Sequence, residues 1–205
     1  SGMVKLVQTT AWVRTNTWNI TAAIAFNNLT IASGSSTSES YSTTLSLTGG
    51  VNPTVAGLLK IDTTGLYNLS MMGGTIECSG DISCVHGEMN GGGTVLKLTG
   101  TTPRTYTWSA GVFPHIEVDY GVGGSISPYT PVPGTPLDPS NTTDLVAYGL
   151  TMTNGELVAP IGEFTLRQGS IYGHTFLTVT GGTFTHNSGM VKLVQTTAWV
   201  RTNTW

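Results

Sequence analysis

Charged side chains are scarce in this sequence. They make up 9% of its 205 residues, against about 25% in a typical soluble domain. The net charge is −3, and the sequence contains no basic stripe of the kind that binds phosphate backbones. The composition therefore argues against nucleic-acid binding. No apolar run approaches the roughly 20 residues of a membrane helix, which predicts no membrane span. The length and a hydrophobic fraction of 39% still allow a substantial core.

Helix patterns are also missing, because Gly, Thr and Asn interrupt every run with three- or four-residue apolar spacing. Short alternating runs recur instead and end mostly at Gly, Asn or Thr-Gly, which is typical of an all-β chain. The predicted strands are Met3–Val7, Leu29–Ile31, Leu45–Leu47, Leu58–Ile61, Thr75–Cys78, Val95–Leu98, Ile116–Val118, Phe164–Leu166, Phe176–Val179 and Met190–Val194.

The sequence contains few acidic residues, and they are scattered along the chain. Glu117 and Asp119 lie two residues apart and share a face of one predicted strand, a weak signal for acid–base chemistry. The other aspartates considered are isolated: Asp62, Asp81 and Asp138. The four histidines are far apart and are predicted to be surface or turn residues: His86, His115, His174 and His186. With no nucleophile, phosphate-loop or metal motif, we expect no enzyme, catalytic residue, cofactor or metal site.

Only two cysteines occur. Cys78 and Cys84 are separated by five residues that include Gly80 and Asp81, so a tight turn could bring the thiols together. In an oxidising compartment this spacing makes them a candidate disulfide.

A chain rich in Thr, Ser, Asn and Gly with few charges suits the outside of a cell. Candidate N-glycosylation sequons point the same way and begin at Asn19, Asn28, Asn68 and Asn141. We therefore expect an extracellular or cell-surface location.

A perfect internal repeat is the strongest positive feature. Ser188–Trp205 repeats Ser1–Trp18 without a change, which sets a period of 187 residues. Residues 1–187 are therefore interpreted as one tandem repeat unit, and residues 188–205 as the start of the next. Since sequence and context match, both copies are predicted to be strand–turn–strand segments with the same backbone path, related by a translation.

A weaker likeness lies inside the unit. Val95–Trp108 aligns with Met190–Trp205 across one gap, and Phe26–Ile31 parallels Phe113–Val118. This likeness is compatible with a repeat unit that consists of two diverged halves of roughly 90–97 residues.

Self-similar strands that stack on copies of themselves predict a β-solenoid, a parallel β-helix. Coils of about 20–29 residues would give roughly eight coils per unit. A β-sandwich filament subunit is the alternative fold. In the solenoid, alternate apolar residues should point inward: Val4, Leu6, Leu29, Ile31, Leu45, Leu47, Leu96, Leu98, Ile116, Val118, Leu177 and Val179.

Both copies of the 18-mer contain ordinary alternating strand sequence rather than a polar cap. An uncapped ladder edge is a template for pairing. The predicted self-association residues are Met3, Val4, Leu6, Met190, Val191, Leu193 and Trp205.

A proline-rich segment and a set of tryptophans are candidate binding features. Five of the nine prolines fall in Ser127–Ser140, which predicts an extended excursion, and its Pro128–Pro139 loop is a candidate for lateral fibre contacts. Trp12, Trp18 and Trp108 are a candidate sugar-binding platform, although such side chains more often fill a core.

The stretch Thr180–Val194, TGGTFTHNSGMVKLV, together with Phe26–Ile31, FNNLTI, resembles repeats of very large bacterial surface and secreted proteins. The resemblance implies right-handed parallel β-helices in adhesins, stalks and extracellular fibres, and it transfers no catalytic residues. The proline-rich segment departs from that pattern.

The expected function is a non-catalytic structural repeat of an extracellular fibre, stalk or adhesin that stacks end to end. One alternative is a separate pilin-like filament subunit joined by β-strand addition. The other is a carbohydrate-binding or carbohydrate-active β-helix, which would need a clustered acidic groove.

Overall fold

The fold is all-β in a computed structural model of the chain. The structure describes residues 2–8, 15–33, 42–48, 50–62, 68–86, 88–90, 93–129, 144–167 and 177–194. These residues form 22 strands, numbered β1 to β22 in chain order. They contain no helix that is long and apolar enough to cross a membrane.

The strands form four sheets whose ladders are parallel. Sheet A contains β1 (Met3–Gln8), β4 (Asn28–Ser33), β7 (Leu58–Asp62), β10 (Asp81–His86), β13 (Pro103–Trp108), β15 (Ser125–Pro128), β18 (Glu156–Val158) and β21 (Thr183–Thr185). Sheet B contains β2 (Thr15–Ile20), β5 (Ser42–Leu47), β8 (Asn68–Met72) and β11 (Glu88–Asn90). Sheet C contains β3 (Ala25–Phe26), β6 (Thr54–Val55), β9 (Thr75–Cys78), β12 (Val95–Leu98), β14 (His115–Asp119), β17 (Leu150–Asn154) and β20 (Leu177–Val179). Sheet D contains β16 (Leu145–Ala147), β19 (Glu163–Arg167) and β22 (Met190–Val194).

The chain winds through these sheets as a β-solenoid, as the sequence predicted. A coil passes through sheet A, then sheet B or D, then sheet C, and returns to sheet A beside its previous strand. The coil from β13 to β15 has no strand in sheet B or D, and only the bridge residue Phe113 lies on that face. Measured between paired residues of sheet A, coil lengths run from 22 residues, between Pro103 and Ser125, to 31 residues, between Ser125 and Glu156. The longest coil exceeds the predicted range because it carries the proline-rich segment. The parallel pairing rules out the β-sandwich alternative.

All ten predicted strands are present, although the structure begins β20 at Leu177 and Phe176 lies outside the described residues. Several of the remaining strands are short or mostly polar, such as β15 and β21. Their alternation is too brief to distinguish a strand from a turn. The longer strands β10 and β17 were also not predicted.

The core consists of inward side chains stacked in columns along the axis. In sheet A, Leu29 lies on Leu59, which lies on Ile82. Most side chains predicted to point inward are buried: Leu29, Ile31, Leu45, Leu47, Leu96, Leu98, Ile116 and Val118. This result confirms the predicted register.

The four remaining side chains belong to strands at the ends of the stack. Val4 is paired with buried Leu29, and Val179 with buried Met152, so both occupy inward positions. Both are nevertheless exposed, because no further described coil covers them. Leu6 and Leu177 are half-buried against the core.

One face of the solenoid changes sheet near Phe113. Sheet B ends at β11, and sheet D is preceded by a parallel bridge between Phe113 and Ala147 of β16. The Phe113 amide donates to the Val146 carbonyl (2.8 Å), and the Tyr148 amide donates to the Phe113 carbonyl (3.0 Å). Phe113 is fully buried, so its ring fills the core where the sheet changes.

The proline-rich segment starts later than predicted. Ser127 and Pro128 are the last residues of β15, which lies between β13 and β18. Pro128 fits there because pairing with β18 has ended at Ile126, so the proline opposes no acceptor on that side. Residues 130–143, with the other four prolines of the segment, lie outside the described residues.

The corners between sheets C and A pack backbone against backbone. The Asn28 side-chain oxygen accepts a hydrogen bond from the Leu58 amide of the next coil (2.7 Å). A Cβ atom on Gly57 would lie 2.2 Å from that oxygen, and one on Gly80 would lie 1.4 Å from the Gly57 carbonyl oxygen. Glycine at these corners therefore lets successive coils approach to ladder distance.

Candidate functional site

The two ends of the coil stack form the candidate site, because they hold the two copies of the repeated segment. At one end, β1 is the outermost strand of sheet A and pairs in register with β4. Met3 is 66% exposed and Val4 is 41% exposed, while Leu6 is half-buried. This end presents an apolar strand edge without a described neighbour.

At the other end, β22 is the outermost strand of sheet D and pairs in register with β19. Met190 is 63% exposed and Val191 is 38% exposed, while Leu193 is half-buried. These values match those of the first copy. The described self-association residues thus lie at opposite ends of the stack, and Trp205 lies outside the described residues.

The repeated strand meets the same pattern of neighbours at both ends. Val4 and Leu6 pair with Leu29 and Ile31 of β4, and Val191 and Leu193 pair with Phe164 and Leu166 of β19. Lys5 pairs with Thr30 and Lys192 with Thr165, on the outer face. The methionines pair with the polar residues Asn28 and Glu163. The repeated strand therefore pairs with a similar set of residues at both ends. At one end its partner is the following strand β4, and at the other end it is the preceding strand β19.

The predicted equivalence of the two copies is wrong in one respect. Both copies begin with a strand, but β1 belongs to sheet A and β22 belongs to sheet D. The predicted turn and second strand of the second copy, residues 195–205, lie outside the described residues. A translation along the axis would keep the same sheet, so it does not relate them. The cause is the four-residue link from β21 to β22, which turns the chain from sheet A to sheet D before the repeated strand begins.

The proposed internal halves also lie on different faces. Val95–Leu98 forms β12 in sheet C, whereas the aligned Met190–Val194 forms β22 in sheet D. The aligned strands therefore do not share a face of the solenoid, and the division into two halves stays a prediction.

Charge at the β22 end is paired within the solenoid. Lys192 Nζ lies 3.3 Å from Glu163 Oε2 of the adjacent strand. The Thr165 hydroxyl donates to the same carboxylate, and this hydrogen bond and Lys192 lower the pKa of Glu163. The outer face of the ladder thus remains ionised and hydrophilic beside the apolar edge.

The acidic pair singled out from the sequence lies on the outer face of sheet C. Lys97 Nζ contacts Glu117 Oε1 (3.1 Å) and Asp119 Oδ2 (2.8 Å). Asn154 Nδ2 and Thr153 Oγ1 donate to Asp119 Oδ1. The bonds from Asn154, Lys97 and Thr153 lower the pKa of Asp119 to about 2. A carboxylate held ionised in this way is a poor proton donor near neutral pH.

We expect Asp119→Asn to lower the free energy of unfolding by less than about 1 kcal/mol at pH 7, because the ion pair is partly exposed. The native pKa lies below the unfolded value of 3.8, so the carboxylate contributes stability above pH 3.8 that is lost as the pH falls towards 2. Denaturant melts between pH 2 and 7 should therefore show a smaller pH dependence in Asp119→Asn. Glu117→Gln is the matched control, and an equal effect in both variants would contradict the role of Asp119.

The described histidines, His86, His115 and His186, do not converge. His115 is buried, contrary to the surface role predicted for it, because it begins β14 and its Nε2 lies 2.9 Å from Thr151 Oγ1 of the next coil. His186 is exposed and contacts the Gly189 carbonyl. His86 ends β10, and His174 lies outside the described residues. No group of three or more metal-ligating side chains occurs among the described residues.

The candidate disulfide is not formed. The corner at Ser79 and Gly80 turns the chain from sheet C to sheet A, so Cys78 and Cys84 enter the core from different sheets. Both are free and buried. The Cys78 thiol donates to the Gly80 carbonyl (3.7 Å), and the Cys84 thiol donates to the Ala110 carbonyl (3.2 Å). Burial raises the pKa of Cys78 to about 11 and that of Cys84 to about 12.

Neither thiol should react with an alkylating reagent at pH 8 in the folded protein, because the thiolate is the reactive form and both groups are buried. Unfolding in denaturant should make both reactive. Intact-mass spectrometry before and after denaturation measures the number of adducts. Rapid modification of the folded chain, or a mass two protons lower than that of the dithiol, would contradict this arrangement.

The described sequons differ in accessibility. Asn19 is an exposed residue of β2, whereas Asn28 is half-buried and its side chain bonds the Leu58 amide. Asn68 begins β8, and Asn141 lies outside the described residues. Glycosylation stays a prediction, for which Asn19 is more accessible than Asn28.

The described tryptophans do not form a platform. Trp18 lies in sheet B and Trp108 in sheet A, and both are half-buried against the core. Trp108 Nε1 donates to the Gly111 carbonyl (3.0 Å). Trp12 lies outside the described residues.

Comparison with known proteins identifies no relative of this chain. No family model, curated protein or solved structure matches this chain.

Proposed function

We propose that this chain is a non-catalytic structural repeat of an extracellular fibre, stalk or adhesin, in which copies stack end to end within one polypeptide. One observation carries the proposal: the same strand sequence lies at both ends of the stack and docks on the same pattern of neighbours. The first strand of a second copy could therefore pair with the end of the first copy through contacts similar to those that it makes within its own copy.

The mechanical role rests on continuous ladders. Parallel pairing runs through eight strands of sheet A and seven strands of sheet C. A stack of this kind transmits load along its axis through hydrogen bonds and core contacts made by each coil with the next. Such a fibre would hold a distal element away from the cell.

A single continuous polypeptide is favoured over separate pilin-like subunits by charge. Separate chains stacked by the same strand would bring β1 of one chain beside β22 of the other, and thus Lys5 beside Lys192. Like charges on neighbouring strands are destabilising. In one continuous chain, two consecutive copies share one repeated strand at each junction. Its single lysine then lies between a threonine of the first copy and a threonine of the second.

The test is the mass of the native polypeptide after denaturation. A chain many times larger than the 21.5 kDa of this sequence, with peptides of the 187-residue unit recovered repeatedly, is the expected result. A polypeptide with one unit per chain would overturn the proposal in favour of separate subunits. Localisation is tested by labelling intact cells with an antibody against the module, with a cytoplasmic protein as the control.

A further inference from the structure

The repeated strand does not return to its starting face. From β1 to β21, sheet A advances by seven coils, and the chain then turns once more to place β22 in sheet D. Since β22 has the sequence of β1, the repeat unit spans seven coils and one face.

We infer that consecutive copies are rotated by one face of the solenoid, so that sheet D of one copy continues into sheet A of the next. This inference rests on the proposed end-to-end stacking and adds its geometry. The outermost strands at one end are β1, β2 and β3, and those at the other are β20, β21 and β22. The rotation joins β20 to the second copy's β2 and β21 to its β3, while β22 itself serves as its β1.

The contacts made by the shared strand support this junction. In β22, Val191 lies beside buried Phe164, and Leu193 beside buried Leu166. The rotation covers their other side with the second copy's Leu29 and Ile31, which are the partners of Val4 and Leu6 within one copy. The apolar surface of β22 would then be enclosed in a continuous core column, where its burial stabilises the stack.

The other two faces also match. Phe184 of β21 occupies an inward position beside Leu157, and its ring stacks on Phe164 with centroids 6.2 Å apart. The rotation places the second copy's Phe26, the inward residue of β3, over Phe184. On the third face, the second copy's Ile20 covers the exposed Val179 of β20. Each exposed inward side chain thus gains an apolar partner.

The alternative is that consecutive copies keep one orientation, so that sheet C continues into sheet C. The two arrangements differ in the neighbour of the second copy's Ala25, an exposed outer residue of β3. With the rotation, Ala25 lies beside Thr183 of β21 in the first copy. Without it, Ala25 lies beside Thr178 of β20.

Thiol cross-linking in a two-copy chain separates these cases. The chain consists of residues 1–187 followed by the full sequence, with Ala25→Cys in the second copy and either Thr183→Cys or Thr178→Cys in the first. Residues in register on neighbouring strands are about 4.8 Å apart, within the roughly 4.4–6.8 Å between Cα atoms that a disulfide allows. The native thiols are buried and should not compete.

The expected result is cross-linking of most molecules through Thr183→Cys and little through Thr178→Cys. Small-angle X-ray scattering of the unmodified two-copy chain provides the independent test of stacking. A single straight rod with the Thr178→Cys cross-link would overturn the rotation and leave the proposed function standing. Two independently oriented modules with neither cross-link would overturn both.

Discussion

Replacing Gly80 with alanine should lower the free energy of unfolding by at least about 3 kcal/mol, the upper end of the usual effect of overpacking. The added Cβ atom would lie 1.4 Å from the Gly57 carbonyl oxygen of the previous coil. That atom belongs to the backbone, so no side-chain rotation relieves the clash and the two coils must separate. Ladder contacts around β7 and β10 would weaken with them.

Gly2→Ala is the matched control, because a Cβ atom on Gly2 meets nothing within 4 Å. Both variants are compared with the original chain in denaturant melts followed by circular dichroism. Equal stability of the Gly80 and Gly2 variants would contradict the close approach of the coil corners.

Phe113→Ala should lower the free energy of unfolding by about 3–5 kcal/mol, the usual cost of emptying a buried phenylalanine site. The effect should also reach beyond the cavity. Phe113 bridges to Ala147 where sheet D follows sheet B, and solenoid stability depends on contacts between adjacent coils. We expect the coils on the two sides of Phe113 to unfold in separate steps in the variant.

Val122→Ala is the control, since Val122 is 100% exposed and its truncation should change stability by less than about 0.5 kcal/mol. Hydrogen exchange measured by mass spectrometry reports protection on each side of Phe113. A single cooperative transition with a loss below about 1 kcal/mol would contradict the role of Phe113 at the change of sheet.

The sequence predicted the fold class because alternation with a period of two determines which side of a strand faces the core. Leu29 and Ile31, or Leu96 and Leu98, needed no further information to be placed inside. Glycine and threonine after these runs marked most of the corners. Such local signals are strong in a solenoid, where each coil contacts only its neighbours.

Alternation does not say on which face of the coil a strand lies. That depends on the lengths of the corners, which vary from the single Gly155 between β17 and β18 to the sixteen residues between β15 and β16. For this reason, the sequence showed that Met190–Val194 repeats Met3–Val7 but did not show that the copies lie in different sheets. The same limit applies to the cysteines, which lie in different sheets on either side of the corner at Gly80.

Burial at the candidate site was also beyond the sequence. Val4 and Leu98 have similar patterns, yet only Leu98 has a described coil on both sides. The exposure of Val4 and Val191 results from their position at the ends of the stack. His115 was misjudged for the opposite reason, because the neighbouring coil covers it.

The most direct test of end-to-end stacking is the length of chains that contain one, two and four copies of the repeat unit, measured by electron microscopy. Seven coils and one face, at about 4.8 Å per coil, predict that each added copy lengthens a straight rod by about 35 Å. Unequal increments, or copies joined at variable angles like beads on a string, would contradict the account.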